Sequence, residues 1–356
     1  MQRHFHRCLN LMEKPLIVSA EQAVSMINNK DRIYVHGIAA TPMTLLNALS
    51  KRTELRDVEL MHIHLEGESP CSNPKLRDSF RSLNLFVGKH ERKHVASGRN
   101  VFIPIFLSEI PKLMRSGRLT PNVAFVNVSP PDRHGYCSLG VEVTCAFPAV
   151  ETATMIIAQV NKHVPRTHGN SMIHYNKIDF VVENDEPLPY SAIAAPSPVD
   201  QQIGKNIAAL IKDGSTLQMG IGAIPNAVLN SLSDKKDLGI HTEMFMDDLI
   251  PLIEKGIVNN SKKSFMRGRT LTSFVMGTQK LYDFVHDNPM VSFMDSSITN
   301  DPIIISQNPK VIAINSAVEV DLTGQVCADS IGRSIISSVG GQIDFERGAA
   351  MAQDGI

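Results

Sequence analysis

The sequence predicts an α/β protein of two similar domains, each with a mostly parallel β-sheet, and an active site in the cleft between them. Three observations support this: strand-like and helix-like segments alternate, one strand–turn–helix segment occurs twice, and prolines divide the chain near its middle. Alternating strands and helices form βαβ units, in which helices cover a parallel sheet.

Short apolar runs of strand length recur along both halves of the chain, and segments with helical spacing of apolar residues lie between them. The predicted strands are 31–37, 58–65, 83–88, 101–107, 123–129, 155–160, 215–222, 238–245, 270–277 and 311–315. The predicted helices are 19–29, 41–52, 108–117, 143–153, 199–214, 224–232 and 250–256.

The alternation breaks between residues 161 and 200. Residues 187–200 contain four prolines and are typical of a linker. The predicted domains are therefore 19–186 and 201–356, with an N-terminal extension over 1–18.

The first twelve residues contain Arg3 and Arg7 and precede the first acidic residue, Glu13. Mitochondrial presequences contain arginine and few acids, although this segment is short and lacks serine. Two interpretations stay open: a transit segment of a mitochondrial protein, or the plain terminus of a cytoplasmic one.

An internal repeat relates the two halves. Residues 37–50 and 220–233 match at eight of fourteen positions without a gap. Two weaker matches follow in the same order and pair 63–66 with 240–243 and 110–113 with 250–253. Three matches in the same order indicate that the two halves share one arrangement of strands and helices. If the halves face each other, the cleft between them is the expected place for the active site.

The composition excludes several classes of protein. Thirty-five basic and 36 acidic residues give a net charge of −1, which offers no basic surface for nucleic acid or an anionic membrane. No apolar run reaches the roughly 18 residues that span a bilayer. The cysteines are odd in number and form no CxxC pair, which argues against a disulfide framework or a zinc site; they are Cys8, Cys71, Cys137, Cys145 and Cys327.

A glycine turn over 218–226 closes a predicted strand and opens a predicted helix. Gly220 and Gly222 have no Cβ, so a ligand can approach the backbone closely, and Pro225 suits the first helical position. The free N–H groups of a helix N-terminus can bind a phosphate or a developing oxyanion. The alternative is an ordinary tight turn.

The next predicted strand contains His241 and Glu243. Residues two apart on a strand point to the same face of the sheet, so these two side chains share a face. A carboxylate near the end of a parallel strand is where α/β folds carry chemistry, and the alternative is a His–Glu pair at an exposed sheet end. Further on, Gly340 and Gly341 can supply a second set of close N–H donors. Two such loops and one carboxylate are what acyl transfer needs: a nucleophile and an oxyanion site.

Several motifs together resemble the acetyl-CoA hydrolase/transferase family, and the resemblance runs from about residue 19 to 350. The motifs are NVSPPDRHGYCSLG (127–140), IIAQVNKHVPRTHGNSMIH (156–174), GIGAIP (220–225), HTEMF (241–245), INSAVEVDLTGQV (314–326) and GGQIDFERGAA (340–350). The family's fold implies two α/β domains of similar plan, in agreement with the repeat.

By this resemblance, Glu243 is the catalytic glutamate, which takes the acyl group from an acyl-CoA and then forms a glutamyl-CoA thioester in a ping-pong reaction. Coenzyme A is then a substrate, with no tightly bound cofactor and no metal. The residues expected to cradle the thioester oxygen and CoA are Gly220, Ile221, Gly222, Ala223, Ile224, Asn315, Gly340 and Gly341. Acyl-CoA and small carboxylic acids are the expected partners, and a homodimer is implied.

Other candidate residues are expected to be structural. Glu66 falls where the repeat places Glu243, beside a poorer glycine turn, and is expected to be structural or a contact in the cleft. His36, His62 and His64 lack the carboxylate or cysteine neighbours of a metal site. Cys137 and Cys145 lack a histidine partner and are expected in the core.

Two departures from the family pattern bear on activity. The family's Ser-Asp-Gly after HTEMF is Met246-Asp247-Asp248 here, and members carry a further C-terminal section beyond the position of Ile356. We therefore expect a C-terminally truncated second domain. Three hypotheses stay open: a transferase acting on acetate, butyrate or 4-hydroxybutyrate, an acyl-CoA hydrolase, or an inactive remnant that binds CoA.

Overall fold

The computed structural model describes residues 14–191, 195–220 and 222–356. The predicted transit segment in residues 1–12 lies outside the described residues, and the location in the cell stays a prediction. Within the described part, no helix is long and apolar enough to cross a membrane.

Strands and helices alternate along the described chain. The strands are β1 Leu16–Ile17, β2 Arg32–Val35, β3 Val58–His62, β4 Phe80–Asn84, β5 Val101–Phe102, β6 Val123–Val128, β7 Tyr136–Ser138, β8 Met155–Asn161, β9 His168–Gly169, β10 Met172–His174, β11 Phe180–Asn184, β12 Thr216–Met219, β13 Gly239–Ile240, β14 Met244–Phe245, β15 Thr270–Thr272, β16 Phe274–Val275, β17 Val291–Phe293, β18 Val311–Ile314, β19 Glu319–Val320, β20 Val326–Cys327, β21 Ser330–Ile331 and β22 Ser334–Ile335. The α-helices are α1 Ala20–Val24, α2 Met43–Leu49, α3 Arg92–Ala96, α4 Ile110–Arg115, α5 Ala146–Thr152, α6 Pro198–Leu210, α7 Ala223–Asn230, α8 Ile250–Glu254, α9 Gln279–Val285, α10 Ser296–Thr299, α11 Pro302–Ile305 and α12 Gln342–Met351. Short 3-10 helices cover Pro70–Ser72, Pro74–Leu76, Leu107–Glu109, Tyr175–Lys177 and Asp247–Leu249.

The first half forms an eight-stranded sheet in the order β1-β11-β8-β6-β2-β3-β4-β5. Every neighbouring pair in it is parallel. The chain winds outward from β2 in one direction through β3, β4 and β5, and in the other through β6, β8 and β11. The order therefore reverses between β2 and β6, which is the point where doubly wound sheets bind ligands.

The second half builds smaller parallel sheets on a similar plan. β12 lies between β13 and β18, and β14 pairs with β16. β15 pairs with β17, and β17 pairs on its other side with β9 of the first half. The largest buried cluster contains side chains of both halves, among them Tyr34, Leu217 and Phe293. The predicted α/β class with a large parallel sheet is confirmed, and one apolar core joins the two halves.

The repeat is visible as structure. In the first half β2 leads through a turn into α2, and in the second half β12 leads through the glycine turn into α7. The boundaries placed at residues 187–200 stay a prediction, although no strand or helix occurs in the described residues between Asn184 and Pro198.

Three predicted strands differ from the structure in an informative way. The strand predicted over 238–245 is interrupted between β13 and β14, and that over 270–277 between β15 and β16. The strand predicted over 101–107 is only two residues long. Pro104 has no N–H to donate to a neighbouring strand, which explains the early end of β5.

Candidate functional site

Glu243 lies in the interruption between two strands of the second half. β13 ends at Ile240 and β14 begins at Met244. The backbone carbonyl of Glu243 accepts hydrogen bonds from Ser273 N at 2.9 Å and Phe274 N at 3.1 Å. The neighbouring strand segment therefore fixes the backbone that carries this side chain.

The carboxylate of Glu243 contacts two residues that are distant in sequence. Asn300 Nδ2 donates a hydrogen bond to Glu243 Oε2 at 3.0 Å. Gly341 lies so close that a Cβ added there would overlap both of these atoms. Only glycine lets the backbone pass against the carboxylate in this way, so the structure brings Glu243 and Gly341 together.

The electrostatic surroundings favour the protonated form of Glu243. Burial raises the pKa of Glu243 to about 7; the hydrogen bond from Asn300 opposes the rise, and the negative charge of Asp344 adds to it. Low-polarity surroundings disfavour a charged carboxylate. Glu243 as a whole residue is half-buried.

The second glycine loop, residues 338–345, connects the two halves. Gly340 O accepts a hydrogen bond from Leu107 N at 3.1 Å. Asp344 accepts hydrogen bonds from Ser108 N at 3.1 Å and Ser108 Oγ at 2.8 Å. Burial raises the pKa of Asp344 to about 6, against the effect of these hydrogen bonds. Hydrogen bonds from residues 107 and 108 of the first half thus hold this loop of the second half in place.

Gly220 and Asn315 lie at the same sheet edge as Glu243. The register of β12 with β18 ends at Met219 and Ile314, so Gly220 and Asn315 follow directly at the carboxyl ends of the two strands. β13, which leads to Glu243, is the other neighbour of β12 and runs parallel to it. A Cβ on Gly220 would lie 3.8 Å from Asn315 Cα. The amides of Gln218 and Asn315 exchange hydrogen bonds of 3.3 Å, which orient Asn315 at the edge.

The glycine turn ends where α7 begins. Gly222 directly precedes the helix with φ of 128°, a conformation that favours glycine. Ala223 and Ile224 are the first two helical residues, and Pro225 is the third rather than the first. Its missing N–H is still harmless, because the first four N–H groups of a helix have no partner within it. Ile221 lies outside the described residues.

His241 supports the site and forms no ion pair with Glu243. Asn308 Nδ2 donates to His241 Nδ1 at 3.1 Å, so the Nε2–H of a neutral ring donates to Thr299 O at 2.8 Å. Burial lowers the pKa of His241 to about 3, which keeps the ring neutral. Thr299 directly precedes Asn300, so His241 anchors the segment that positions the amide at Glu243.

Glu66, the repeat counterpart of Glu243, has a different environment. His64 Nε2 donates to Glu66 Oε1 at 2.9 Å, and Glu66 N donates to Thr41 Oγ1 at 3.1 Å. The hydrogen bond from His64 lowers the pKa of Glu66. The two side chains are about a quarter exposed (25% and 23%), and the expectation that Glu66 is structural or a contact in the cleft stays a prediction.

The other predicted histidines and cysteines lie inside the first half. His36 Nε2 is 2.8 Å from Glu142 O, and His62 Nε2 is 2.6 Å from Ser82 Oγ. In the parts of the chain that the structure describes, no group of three or more His, Cys, Asp or Glu side chains could hold a metal ion. Cys137 and Cys145 are buried, and burial raises the pKa of both thiols.

The structure adds two residues to those predicted, Asn300 and Asp344. Asn300 follows a short helix and belongs to no motif, so only the tertiary contact identifies it. Asp344 lies in the GGQID segment, three residues after Gly341, so the sequence does show a carboxylate beside the second glycine loop.

Two family models match the chain. The model of the acetyl-CoA hydrolase/transferase N-terminal domain matches residues 12–190, and the model of the C-terminal domain matches residues 277–356. Together the two cover most of the chain and both halves.

Characterised relatives and a solved structure match almost the whole chain. A 4-hydroxybutyrate coenzyme A transferase of Clostridium kluyveri is 45% identical over 96% of this chain and 80% of its own length, and the sequence motifs predict this similarity. A succinyl-CoA:acetate/propanoyl-CoA:succinate CoA transferase of Fasciola hepatica is 43% identical over 95% of this chain and 71% of its own. The crystal structure of 4-hydroxybutyrate CoA-transferase from Porphyromonas gingivalis has a TM-score of 0.81 and 35% identity, over 96% of this chain and 79% of its own.

Proposed function

Because the chain belongs to the acetyl-CoA hydrolase/transferase family and is an enzyme of the CoA-transferase type, we propose that it transfers CoA between an acyl-CoA and a short-chain carboxylate through a covalent intermediate on Glu243. Acetate, butyrate and 4-hydroxybutyrate are the candidate acids. The observation that carries the proposal is the packing of the Glu243 carboxylate against Asn300 and the backbone of Gly341.

The reaction divides into two covalent stages. The Glu243 carboxylate attacks the thioester carbonyl, the C–S bond breaks, and a mixed anhydride and CoA thiolate result. The thiolate then attacks the glutamyl carbonyl of the anhydride, which releases the first acid as its carboxylate and leaves a glutamyl-CoA thioester. A second acid repeats these steps in reverse, which gives ping-pong kinetics.

The environment of Glu243 suits this role. A carboxylate with a pKa of about 7 is more basic than an ordinary one, and nucleophilicity rises with basicity. Acylation also removes the negative charge that burial and Asp344 make costly. Asn300 holds Oε2 at 3.0 Å, and within the described residues no hydrogen bond engages Oε1, which can serve as the attacking atom.

The two glycine loops supply the donors that such a reaction needs. Developing negative charge on the thioester oxygen is stabilised best by N–H groups fixed in advance. The N–H of Gly220 already donates to Ile314 O at 2.9 Å, so the candidates for this role are the N–H groups of Gly222, Ala223 and Ile224 at the start of α7 and those of Gly340 and Gly341. We expect Asn315, next to Gly220 in the register of β12 and β18, to contact the CoA chain or the reacting carboxylate.

The experiment that tests the proposal measures transfer from butyryl-CoA to acetate. Varying both substrates should give parallel double-reciprocal lines. Glu243→Gln should abolish transfer, and Glu254→Gln, on the exposed end of α8, should not affect it. Intersecting lines, or turnover retained by Glu243→Gln, would overturn the proposal.

The same assay distinguishes the other hypotheses. Consumption of butyryl-CoA at an equal rate with and without acetate would identify a hydrolase. The relatives that are 43–45% identical are named as transferases, which supports the transferase. Folded protein without any turnover would support a CoA-binding remnant. The predicted homodimer is tested separately by the mass of the protein in solution.

A further inference from the structure

A two-residue segment of the first half, 107–108, contacts both parts of the second half that meet the nucleophile. We name it the clamp. Leu107 N donates to Gly340 O at 3.1 Å, next to the glycine whose backbone lies against the carboxylate. Leu107 O accepts a hydrogen bond from Ser296 Oγ at 2.8 Å, on the short helix α10 that Asn300 directly follows. The clamp therefore touches the loop and the helix that flank the nucleophile.

Ser108 gives the clamp a third contact, to a buried carboxylate. Ser108 N donates to Asp344 Oδ2 at 3.1 Å, and Ser108 Oγ donates to Asp344 Oδ1 at 2.8 Å. Asp344 lies in the first turn of α12 and is 1% exposed. A buried carboxylate is costly unless it is hydrogen-bonded. The second half therefore relies on a residue of the first half to satisfy both oxygens of Asp344.

The charge of Asp344 indicates that this contact does more than pack the halves together. An apolar pair of similar volume stabilises a buried interface as well as a charged hydrogen bond does, or better. A carboxylate held by two donors instead fixes distance and direction, because each hydrogen bond is close to linear. The pair thus fixes the position of α12, which begins directly after Gly341.

The position of this loop matters most while a glutamyl-CoA thioester is present. In the competing hydrolysis, water adds to the glutamyl carbonyl, the C–S bond breaks, and the Glu243 carboxylate, CoA thiol and one proton result. A transferase must exclude water while the intermediate waits for an acid. The Gly341 backbone and the Asn300 amide cover the carboxyl group on two sides as long as they lie against it.

We propose that Ser108 and Asp344 are positioning residues, whose hydrogen bonds hold the second glycine loop and Asn300 against Glu243 so that the intermediate reacts with a carboxylate and not with water. Neither residue takes part in a covalent step. The inference rests on the proposed function, since it concerns the fate of the intermediate on Glu243.

The test measures two products of one reaction. Butyryl-CoA and acetate are supplied in excess; acetyl-CoA reports transfer, and free CoA thiol reports hydrolysis. Asp344→Asn keeps the shape and loses the charge, and it should raise the ratio of thiol to acetyl-CoA by roughly tenfold. Ser108→Ala keeps the N–H donor and should raise the ratio by roughly threefold. The double variant should match Asp344→Asn, because both changes remove the same contact.

The ratio distinguishes positioning from a general loss of stability. Less folded enzyme lowers both products equally and leaves the ratio unchanged. Asp287→Asn is the matched control, because His168 Nε2 and Asp287 Oδ1, 3.0 Å apart, form another hydrogen bond between the halves. Its ratio should equal that of the wild type. If Asp344→Asn does not fold, the milder Ser108→Ala provides the same comparison.

A second measurement follows the intermediate itself. The protein is mixed with one equivalent of butyryl-CoA without acetate, sampled over time and reduced with borohydride, and the peptide that contains Glu243 is analysed by mass spectrometry. The modified fraction should decay faster in Asp344→Asn and in Ser108→Ala than in the wild type or in Asp287→Asn.

The outcomes keep the two proposals apart. Ratios and lifetimes equal to those of the wild type in the Ser108 and Asp344 variants would overturn the positioning role and leave Glu243 chemistry intact. An equal rise of the ratio in Asp287→Asn would also overturn it, since any weakened contact between the halves would then suffice. A wild type without any adduct on Glu243 would reject the proposed function and the positioning role with it.

Discussion

Glu66 and Glu243 occupy matching positions in the two halves, yet their surroundings shift the pKa of the two carboxyl groups in opposite directions. Glu66 is stabilised as an anion by a hydrogen bond from His64, which lowers its pKa. Glu243 has a neutral amide as its donor and a second carboxylate, Asp344, nearby, and burial raises its pKa to about 7. The repeated strand–turn–helix segment thus carries one carboxylate that is stabilised in its ionised form and one that is more stable without its negative charge.

The turns beside the two carboxylates also differ, in the space that each leaves around its backbone. The second half has Gly220 and Gly222, with nothing within 4 Å of a Cβ at Gly222. The first half has Gly37 and Ala39, and a Cβ on Gly37 would lie 2.8 Å from His64 O. At the position equivalent to Gly37, a Cβ on Gly220 would lie 3.1 Å from Ile314 O, so both turns are crowded there. The turns differ two residues later, where the second half has Gly222 with open space and the first half has the buried Ala39.

The largest expected difference between the two carboxylates is in catalysis. Glu243→Gln should lower the transfer rate by roughly a thousandfold or more, as removal of a nucleophile does. Glu66→Gln should lower the rate with acetate as acceptor by less than about tenfold, because the residue contacts the cleft without reacting. Initial rates with butyryl-CoA and acetate measure both; similar losses would remove the distinction between the halves.

The second difference is in the pH dependence of stability. The folded pKa of Glu243 lies above its ordinary value of 4.5, at about 7, so ionisation destabilises the fold as the pH rises from about 4.5 to 7. Relative to the wild type, Glu243→Gln should therefore gain up to about 3 kcal/mol of unfolding free energy between pH 4 and pH 8.

Glu66→Gln should show the opposite slope in the same urea titrations. The folded pKa of Glu66 is lowered, so the wild type has its stabilisation above the ordinary pKa and loses it as the pH falls through the folded value. The variant should be less stable than the wild type at pH 7 and equal to it in acid. Parallel pH profiles for the two variants would contradict the electrostatic contrast.

Substitution of Gly341 tests the contact between its backbone and the Glu243 carboxylate. Gly341→Ala should lower transfer by roughly fiftyfold, because the added Cβ overlaps Glu243 Oε2 and Asn300 Nδ2. Gly340→Ala adds backbone strain without an overlap, since Gly340 has φ of 58° but no atom closer than 3.7 Å to its Cβ position, whereas Gly341 has φ of −100° and no such strain. A loss for Gly340→Ala as large as that for Gly341→Ala would show that the loop conformation, and not the contact with Glu243, matters.

Among the residues that contact the Glu243 carboxylate, Asn300 gives the smallest expected effect. Asn300→Ala should lower transfer at pH 7 by roughly tenfold, because it removes the hydrogen bond that favours ionised Glu243. The rise of rate with pH should move to higher pH, and the loss should diminish at pH 9. Asn206→Ala, on the exposed face of α6, should match the wild type. A loss that does not depend on pH would assign Asn300 another role.

Several features of the site could be predicted from sequence because they are local. The glycine turn, Glu243 and the second glycine loop each follow a strand in the sequence. Asn300 could not be predicted in this way, since its role comes from a tertiary contact at the end of a four-residue helix.

The most direct test of the central claim is the chemical identity of the acylated residue. The protein is incubated with butyryl-CoA, reduced with borohydride and digested, and the peptide that contains Glu243 is analysed by mass spectrometry. We predict reduction of the Glu243 carboxyl to an alcohol, as a glutamyl thioester requires, with the Glu66 peptide unchanged. An unmodified Glu243 peptide in folded, active protein would contradict the account.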